Sequence, residues 1–185
     1  MLYPVPAVLV TCQDAAGRDN LLTVAWAGTV CSNPVMLSIS VRKERYSHHM
    51  ILETGEFVVN LTTRKLLRAV DYCGVKSGRD TDKFEALGLL KAQAETVRPP
   101  VLADSPVNIE CKVTRVLELG SHDLFLAEVT AVQVDERLLD EKGTLHLEKA
   151  QLLAYSHGAY FALGEQLGTF GYSVRRTKHR GGKKH

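Results

Sequence analysis

The chain has 185 residues, of which 45% are hydrophobic and 24% are charged. This length suits one domain, and the composition is typical of a globular protein rather than of a disordered one. The longest apolar run covers residues 21–30. Because a membrane-spanning helix needs about 20 apolar residues, we expect no membrane partner. The first six residues, MLYPVP, lack the basic leader of a signal peptide, which predicts a cytoplasmic protein.

The positive charge is concentrated at the C-terminus. Residues 175–185 carry six of the 23 basic residues and no acidic residue, so the rest has 17 basic and 21 acidic residues. We expect residues 1–174 to form one domain and residues 175–185 to form a basic, disordered tail. A nucleic-acid partner that uses this tail is the less favoured interpretation.

Cysteine and histidine spacing argues against a metal site. The four cysteines are far apart in the sequence: Cys12, Cys31, Cys73 and Cys111. Because they form no CxxC pair, neither a thiol-oxidoreductase motif nor a zinc site is indicated, and four reduced, mostly buried thiols are expected. The adjacent His48 and His49 have no third ligand at metal spacing, so no metal site is predicted.

The first half of the chain alternates strands with turns. Residues 5–12 predict an apolar strand, residues 13–20 a polar turn, and residues 21–30 the returning strand of a hairpin. Residues 35–41 alternate between apolar and small side chains, which predicts a third strand.

A helix is predicted next, with Ser47 as its N-cap, over residues 48–53, and Gly55 ends it. Residues 56–61 predict a strand, and a helix capped by Thr62 or Thr63 runs to residue 73. Residues 75–105 are expected to be irregular, apart from a short helix over residues 82–86.

Two long strands, over residues 108–119 and 124–134, are expected to form a hairpin, and residues 152–156 predict a last short strand. Seven β segments with only short helices between them favour an antiparallel, closed sheet over a doubly wound α/β fold. The predicted fold is mainly β, a small barrel with short peripheral helices.

The clearest chemical signal is the segment RKERYS at residues 42–47, which runs into the predicted helix. Free N–H groups at a helix start, together with nearby guanidinium groups, form an anion site. The preceding residues 29–33 have small hydroxyl and thiol side chains, which let a flat ligand approach the backbone. An ordinary capped helix with solvated arginines is the alternative. The sequence has no GxGxxG, GxxxxGK[ST], GxSxG or HExxH motif.

Four single residues are weaker candidates. His122 is either a site residue or a surface-loop histidine, and Lys83 is either a site residue or a solvated helix lysine. Trp26 fits a core position as well as a cofactor contact, and Tyr155 fits the polar end of a strand.

Taken together in order, these segments resemble the flavin reductase-like, FMN-binding split-barrel family, and within it the flavoredoxin branch. The resemblance runs through residues 22–34, 42–47, 70–74, 77–84, 118–125 and 154–164. It implies a six-stranded antiparallel split β-barrel (Greek key) that forms a homodimer, with FMN bound near the subunit interface. The segment after Tyr172 has no recognised counterpart in the family.

The resemblance also implies a set of cofactor-binding residues. They are Asn20, Trp26, Thr29, Val30, Cys31, Ser32, Arg45, Tyr46, Ser47, Lys83, His122 and Tyr155. Arg45, Tyr46 and Ser47 would hold the phosphate, and Lys83 would place positive charge near the flavin. His122, the candidate catalytic residue, would border the face where hydride or electrons arrive.

Two redox hypotheses follow. In the first, the protein is a flavin reductase in which NAD(P)H docks on the bound flavin itself, which is compatible with the missing dinucleotide motif. In the second, it is a flavoredoxin-type electron-transfer protein that receives electrons from a redox protein partner. A nucleic-acid-binding module that uses the tail is the third and least favoured hypothesis.

Overall fold

A computed structural model describes residues 2–175 of the chain. Its strands are β1 (Val5–Pro6), β2 (Val8–Gln13), β3 (Asp19–Val24), β4 (Ala27–Ser32), β5 (Val35–Arg42), β6 (Glu56–Asn60), β7 (Lys91–Ala92), β8 (Val101–Leu102), β9 (Val107–Leu119), β10 (His122–Val134), β11 (Leu153–Ser156) and β12 (Ala159–Ala162). The α-helices are α1 (Tyr46–Thr54), α2 (Leu67–Val75) and α3 (Lys83–Leu87), and single 3₁₀ turns cover Arg64–Leu66, Glu136–Leu138, Leu147–Ala150 and Tyr172–Val174. Within residues 2–175, no helix has the length and apolar character needed to cross a membrane.

The main sheet is antiparallel throughout and has the strand order β3-β2-β6-β9-β10-β5-β4. The predicted mainly β, antiparallel split-barrel fold is confirmed, but this sheet has seven strands where six were expected. The apolar run 21–30, predicted as one strand, is divided between β3 and β4. The division falls at Trp26. Its carbonyl accepts a hydrogen bond from the N–H of Ser40 on β5 at 2.9 Å, so the backbone at Trp26 is bonded to β5 and no longer to the strand that pairs with β3.

The sheet curls because its two edge strands are consecutive in the chain. β3 and β4 lie at opposite edges of the sheet, yet only Ala25 and Trp26 separate them. The enclosed core contains side chains from both halves of the sheet and from α1, including Val10, Phe57 and Phe125, all 0% exposed. Full burial of an apolar side chain of this size contributes about 1.5–3 kcal/mol, so this core fixes the curl.

Two further layers cover the outside of β2 and β3. Helices α2 and α3 pack there, with Val70 and Phe84 against Leu21. A separate three-stranded sheet has the order β1-β11-β12. Its central strand is the predicted last strand, while β12 was not predicted.

Three local predictions are corrected. Ser47 is not the N-cap of α1: Arg45 has that position, and Ser47 lies buried in the first turn. The helix predicted to run from a cap at Thr62 or Thr63 to residue 73 begins with a 3₁₀ turn that has Thr63 as its N-cap, and α2 itself starts at Leu67. His122 is the first residue of β10 rather than part of the connection. Apart from Arg175, the predicted basic tail lies outside the described residues.

Candidate functional site

The candidate anion site lies at the start of α1, a helix of nine residues. Its N-cap, Arg45, is extended (φ −67°, ψ 134°), and the first turn contains no acidic residue. The first N–H groups of a helix have no acceptor within the helix, and the helix dipole adds partial positive charge there. This helix start therefore has the polarity that binds an anion.

Two guanidinium groups stand beside the helix start. Arg45 donates through Nη1 to the Gly74 carbonyl at 2.9 Å. The Arg79 guanidinium carbon is 5.8 Å from the centre of the Tyr46 ring. Together with the helix terminus, these groups concentrate positive charge on the residues expected to hold a phosphate.

A buried amide connects β3 to α1. Asn20 donates through Nδ2 to the Ser47 Oγ at 2.7 Å, and both residues are buried. The backbone at Gly78 lies directly on this amide, since a Cβ added there would be 2.4 Å from the Asn20 Oδ1. Glycine is required for this close approach, which closes the loop at residues 77–79 over the amide.

Lys83 lies inside the protein rather than on a solvated helix face. It is 3% exposed, and its ammonium donates to the carbonyls of Leu21 at 2.7 Å and Cys73 at 3.3 Å. Burial lowers the pKa of Lys83. The side chain ties β3 to the end of α2, next to the Gly74 carbonyl that holds Arg45.

An aromatic pair marks the junction between β3 and β4. The rings of Trp26 and His122 have their centres 4.7 Å apart and are tilted by 32°. Trp26 is 45% exposed, so it is not a core residue. The Ser121 Oγ lies 2.9 Å from the His122 Nδ1, which leaves Nε2 without a hydrogen bond to any other described residue.

Strand β4 offers an open backbone edge. Within residues 2–175 it pairs only with β5, and the register shifts between Thr29 and Cys31. The shift leaves Val30 unpaired and 51% exposed. A Cβ added at Gly28 would meet no atom within 4 Å, so a flat ligand can approach this backbone closely.

Cysteine burial differs between this edge and the interior. All four cysteines are free, and Cys12, Cys73 and Cys111 are buried. Burial raises their pKa values to about 12, 11 and 12. They are therefore thiols at neutral pH, as the sequence predicted. Cys31, on β4, is the half-buried exception.

A mostly apolar groove of about 410 Å³ adjoins the aromatic pair. It is lined by Leu2, Val5, Ala25, Trp26, Ala27, Gly28, Ser38 and Ser40. Tyr155 stands on β11 opposite Val5 and packs against the Tyr160 ring, 5.4 Å away between centres. It therefore lies in the small sheet behind this groove.

A larger cavity of about 660 Å³ lies at the far end of the β9–β10 hairpin, beside Leu66, Gly88 and Leu138. None of the predicted site residues lines it. Size alone does not make it the better candidate, because the aromatic pair and the basic helix start lie at the other end.

Sequence reasoning missed a buried ionic cluster below the site. The His48 Nε2 lies 2.7 Å from the Asp123 Oδ2, and the Lys43 Nζ lies 3.2 Å from Oδ1. Burial would raise the pKa of Asp123, but the hydrogen bond from His48 and the Lys43 ammonium hold it below its usual range. The sequence prediction began this strand at residue 124 and so gave no signal for Asp123; in the structure β10 begins at His122, which points Asp123 to the opposite, interior face.

Comparison with known proteins agrees with this geometry. The structure of the flavoredoxin of Desulfovibrio vulgaris (Miyazaki F) superposes with a TM-score of 0.88 and 33% identity, covering 95% of each chain. An FMN-binding protein from Thermus thermophilus, with bound 1-cyclohex-2-enone, gives a TM-score of 0.78 and 28% identity over 90% of each chain.

In sequence, a protein of Archaeoglobus fulgidus is 32% identical over 141 residues, which are 76% of this chain and 78% of that protein. Residues 1–164 match the flavin reductase like domain. The chain therefore belongs to the flavin reductase-like family, which supports a flavin-related redox role.

Proposed function

We propose that the protein binds FMN and acts as an NAD(P)H-dependent flavin reductase. The observation that carries this proposal is the Trp26–His122 pair, whose tilted rings lie in contact beside the open β4 edge of a split barrel. The basic start of α1 belongs to the same barrel. One fold therefore provides both an aromatic contact for a flavin ring and an anion site for a phosphate.

The donor set of the site fits FMN. The start of α1 and Arg45 would hold the phosphate, because they combine free N–H groups with a guanidinium, and the first turn of the helix contains no acidic residue. Thr29, Cys31 and Ser32 would line the ring or the ribityl chain along the open edge. When bound, FMN supplies a ring system that accepts a hydride or single electrons.

The chain's own residues then prepare the reacting face. Trp26 holds the His122 ring by stacking, and the Ser121 hydroxyl occupies Nδ1. This leaves the His122 Nε2 to contact the incoming donor or acceptor, which is the catalytic role we assign to it. The apolar groove beside Trp26 borders one side of that contact.

Anaerobic rapid mixing tests the reductase proposal. Protein loaded with FMN is mixed with NADH or with NADPH, and the flavin absorbance is followed. We expect bleaching with at least one donor, and slower bleaching in His122→Ala than in the wild type. If neither donor bleaches the flavin in the wild type, the reductase proposal fails.

A second candidate function is electron transfer of the flavoredoxin type. It is favoured by the 33% identity to a flavoredoxin over 95% of both chains. FMN would stay bound, and a redox protein partner would deliver the electrons. This function predicts that FMN is retained through dialysis and that direct NAD(P)H oxidation is slow.

We also propose a homodimer in the cytoplasm. The last described segment exposes large apolar side chains at Leu163, Leu167, Phe170, Tyr172 and Val174. An apolar surface of this kind supports an interface between subunits, near which FMN would bind. Sedimentation equilibrium tests the dimer, and a monomer mass at micromolar concentration would contradict it.

The four free thiols favour a reducing compartment, which supports the proposed cytoplasmic location.

A further inference from the structure

One buried carboxylate contacts the chain on both sides of the helix start. Lys43 precedes the N-cap Arg45 by two residues, and His48 follows it by three. Both side chains reach Asp123, at 3.2 Å from Oδ1 and 2.7 Å from Oδ2. The segment that presents Arg45 and the free N–H groups is thus held at both ends by one residue of β10.

The carboxylate of Asp123 is deeply buried, but one of its two oxygens has no hydrogen-bond donor among the described residues. Asp123 is 4% exposed, and its Oδ1 is buried without a hydrogen bond from any described residue. Lys43 therefore balances its charge without a well-directed hydrogen bond. A buried carboxylate in this state adds little net stability, but it restricts where its partners can lie.

The same residue is fixed to the aromatic side of the site. Asp123 follows His122 on β10, and the two side chains point to opposite faces of the strand. The backbone of Asp123 is paired with Val41 on β5 and with Glu118 on β9. The strand therefore cannot shift without moving both the Trp26–His122 pair and the helix start.

From this geometry we propose that Asp123 is a positioning residue for the flavin. It locks the phosphate-binding start of α1 at a fixed distance from His122, through His48 and Lys43. The inference rests on the proposed FMN function, and it assigns to Asp123 no contact with the cofactor. A site held in this way binds a ligand that spans both parts better than a ligand that occupies only one.

Riboflavin is the probe that separates positioning from general stability, because it has the flavin ring and ribityl chain of FMN but no phosphate. If Asp123 positions the phosphate-binding segment, Asp123→Asn weakens FMN and leaves riboflavin almost unchanged. If Asp123 only supports folding, both ligands weaken in parallel.

The experiment measures the dissociation constants of FMN and riboflavin by flavin fluorescence, for the full chain. For Asp123→Asn we expect the FMN constant to rise about tenfold, the change that a lost charge-assisted hydrogen bond produces. The riboflavin constant should change less than about threefold on the same scale. Glu118→Gln is the matched control, since it removes the exposed partner of Lys43 and leaves His48 and Asp123 in contact.

A pair of variants at His48 keeps the test independent of the folding of Asp123→Asn. His48→Gln retains a side-chain N–H that can reach Asp123, and His48→Phe retains an aromatic ring without that donor. We expect His48→Phe to lose the preference for FMN and His48→Gln to keep most of it.

The outcomes separate this inference from the proposed function. A wild type that binds neither FMN nor riboflavin contradicts the proposed function. A wild type that prefers FMN, with the same preference in Asp123→Asn and His48→Phe, overturns the positioning role alone. Parallel weakening of both ligands overturns it as well.

Discussion

The two sides of the site are built differently. The side formed by Asn20, Ser47 and Asp123, here called the anchor side, is buried, and its side chains are hydrogen-bonded to each other or to neighbouring elements. The side formed by residues 26–32 and His122, here called the open edge, is largely exposed, and within residues 2–175 its strand β4 pairs with β5 alone.

This difference separates holding the cofactor from using it. Buried polar groups are costly unless their partners are in place, so the anchor side has one arrangement before any ligand binds. The open edge leaves backbone and ring faces accessible, which a hydride donor or a redox partner requires. Changes on the anchor side should therefore affect affinity and stability, and changes at the open edge should affect reaction with little cost to folding.

Gly78→Ala should give the largest effect on FMN affinity. The new Cβ would lie 2.4 Å from the Asn20 Oδ1, so the loop or the amide must move. Overpacking of this kind costs roughly 1–3 kcal/mol, which corresponds to a rise of about five- to 150-fold in the FMN dissociation constant.

Glu141→Ala is the control for that titration, because Glu141 is exposed and lies outside the candidate site. If both alanine variants bind FMN as tightly as the wild type, the loop over Asn20 has no part in the site.

Asn20→Ala should lower the free energy of unfolding by about 1–3 kcal/mol, because the buried Ser47 hydroxyl loses its partner. Thr29→Ala, at the exposed open edge, should change it by less than about 0.5 kcal/mol. Urea unfolding followed by circular dichroism measures both values. Equal losses in the two variants would remove the distinction between the sides.

Trp26→Leu should have a smaller effect on binding than Gly78→Ala. A contact between Trp26 and the flavin ring would contribute about 0.5–1.5 kcal/mol beyond its buried area, which predicts a change in FMN affinity of roughly two- to 13-fold. The free energy of unfolding should fall by no more than about 1.5 kcal/mol through loss of the contact with His122, since Trp26 is 45% exposed. A loss of folding in this variant would mean that the open edge is structural.

The smallest effect concerns acid stability. The pKa of Asp123 is lowered from 3.8, so its unfolded form binds a proton more readily than its folded form. Its contribution to stability is therefore fully present above pH 3.8 and is lost as the pH falls through the folded pKa, below that value. The difference in unfolding free energy between wild type and Asp123→Asn should be constant above pH 5 and shrink below pH 3.8. A difference that instead grows toward low pH would contradict the assigned ion pairs.

Periodicity in the sequence was enough for the strands but not for the break within one of them. The run 21–30 contains no charged residue, and no glycine or proline marks the point where β3 ends. The break at Trp26 depends on a hydrogen bond to Ser40, a contact made only in the curled sheet. Strand number and barrel closure therefore could not be read from local pattern alone.

The site was predictable to different depths. The basic segment before α1 was visible from its residue types, and the residue set came from the family resemblance. The roles of Ser47 and Lys83 depend on burial: one hydroxyl accepts from Asn20 instead of capping the helix, and one ammonium binds interior carbonyls. The Asp123 cluster joins residues 75 positions apart, so only the fold brings it together.

The absorbance spectrum of the purified protein, recorded after incubation with FMN and removal of free cofactor, tests the central claim most directly. The account predicts a yellow protein with a flavin band in the wild type, and a much weaker band in Gly78→Ala. A colourless wild-type protein that takes up no added FMN would contradict it.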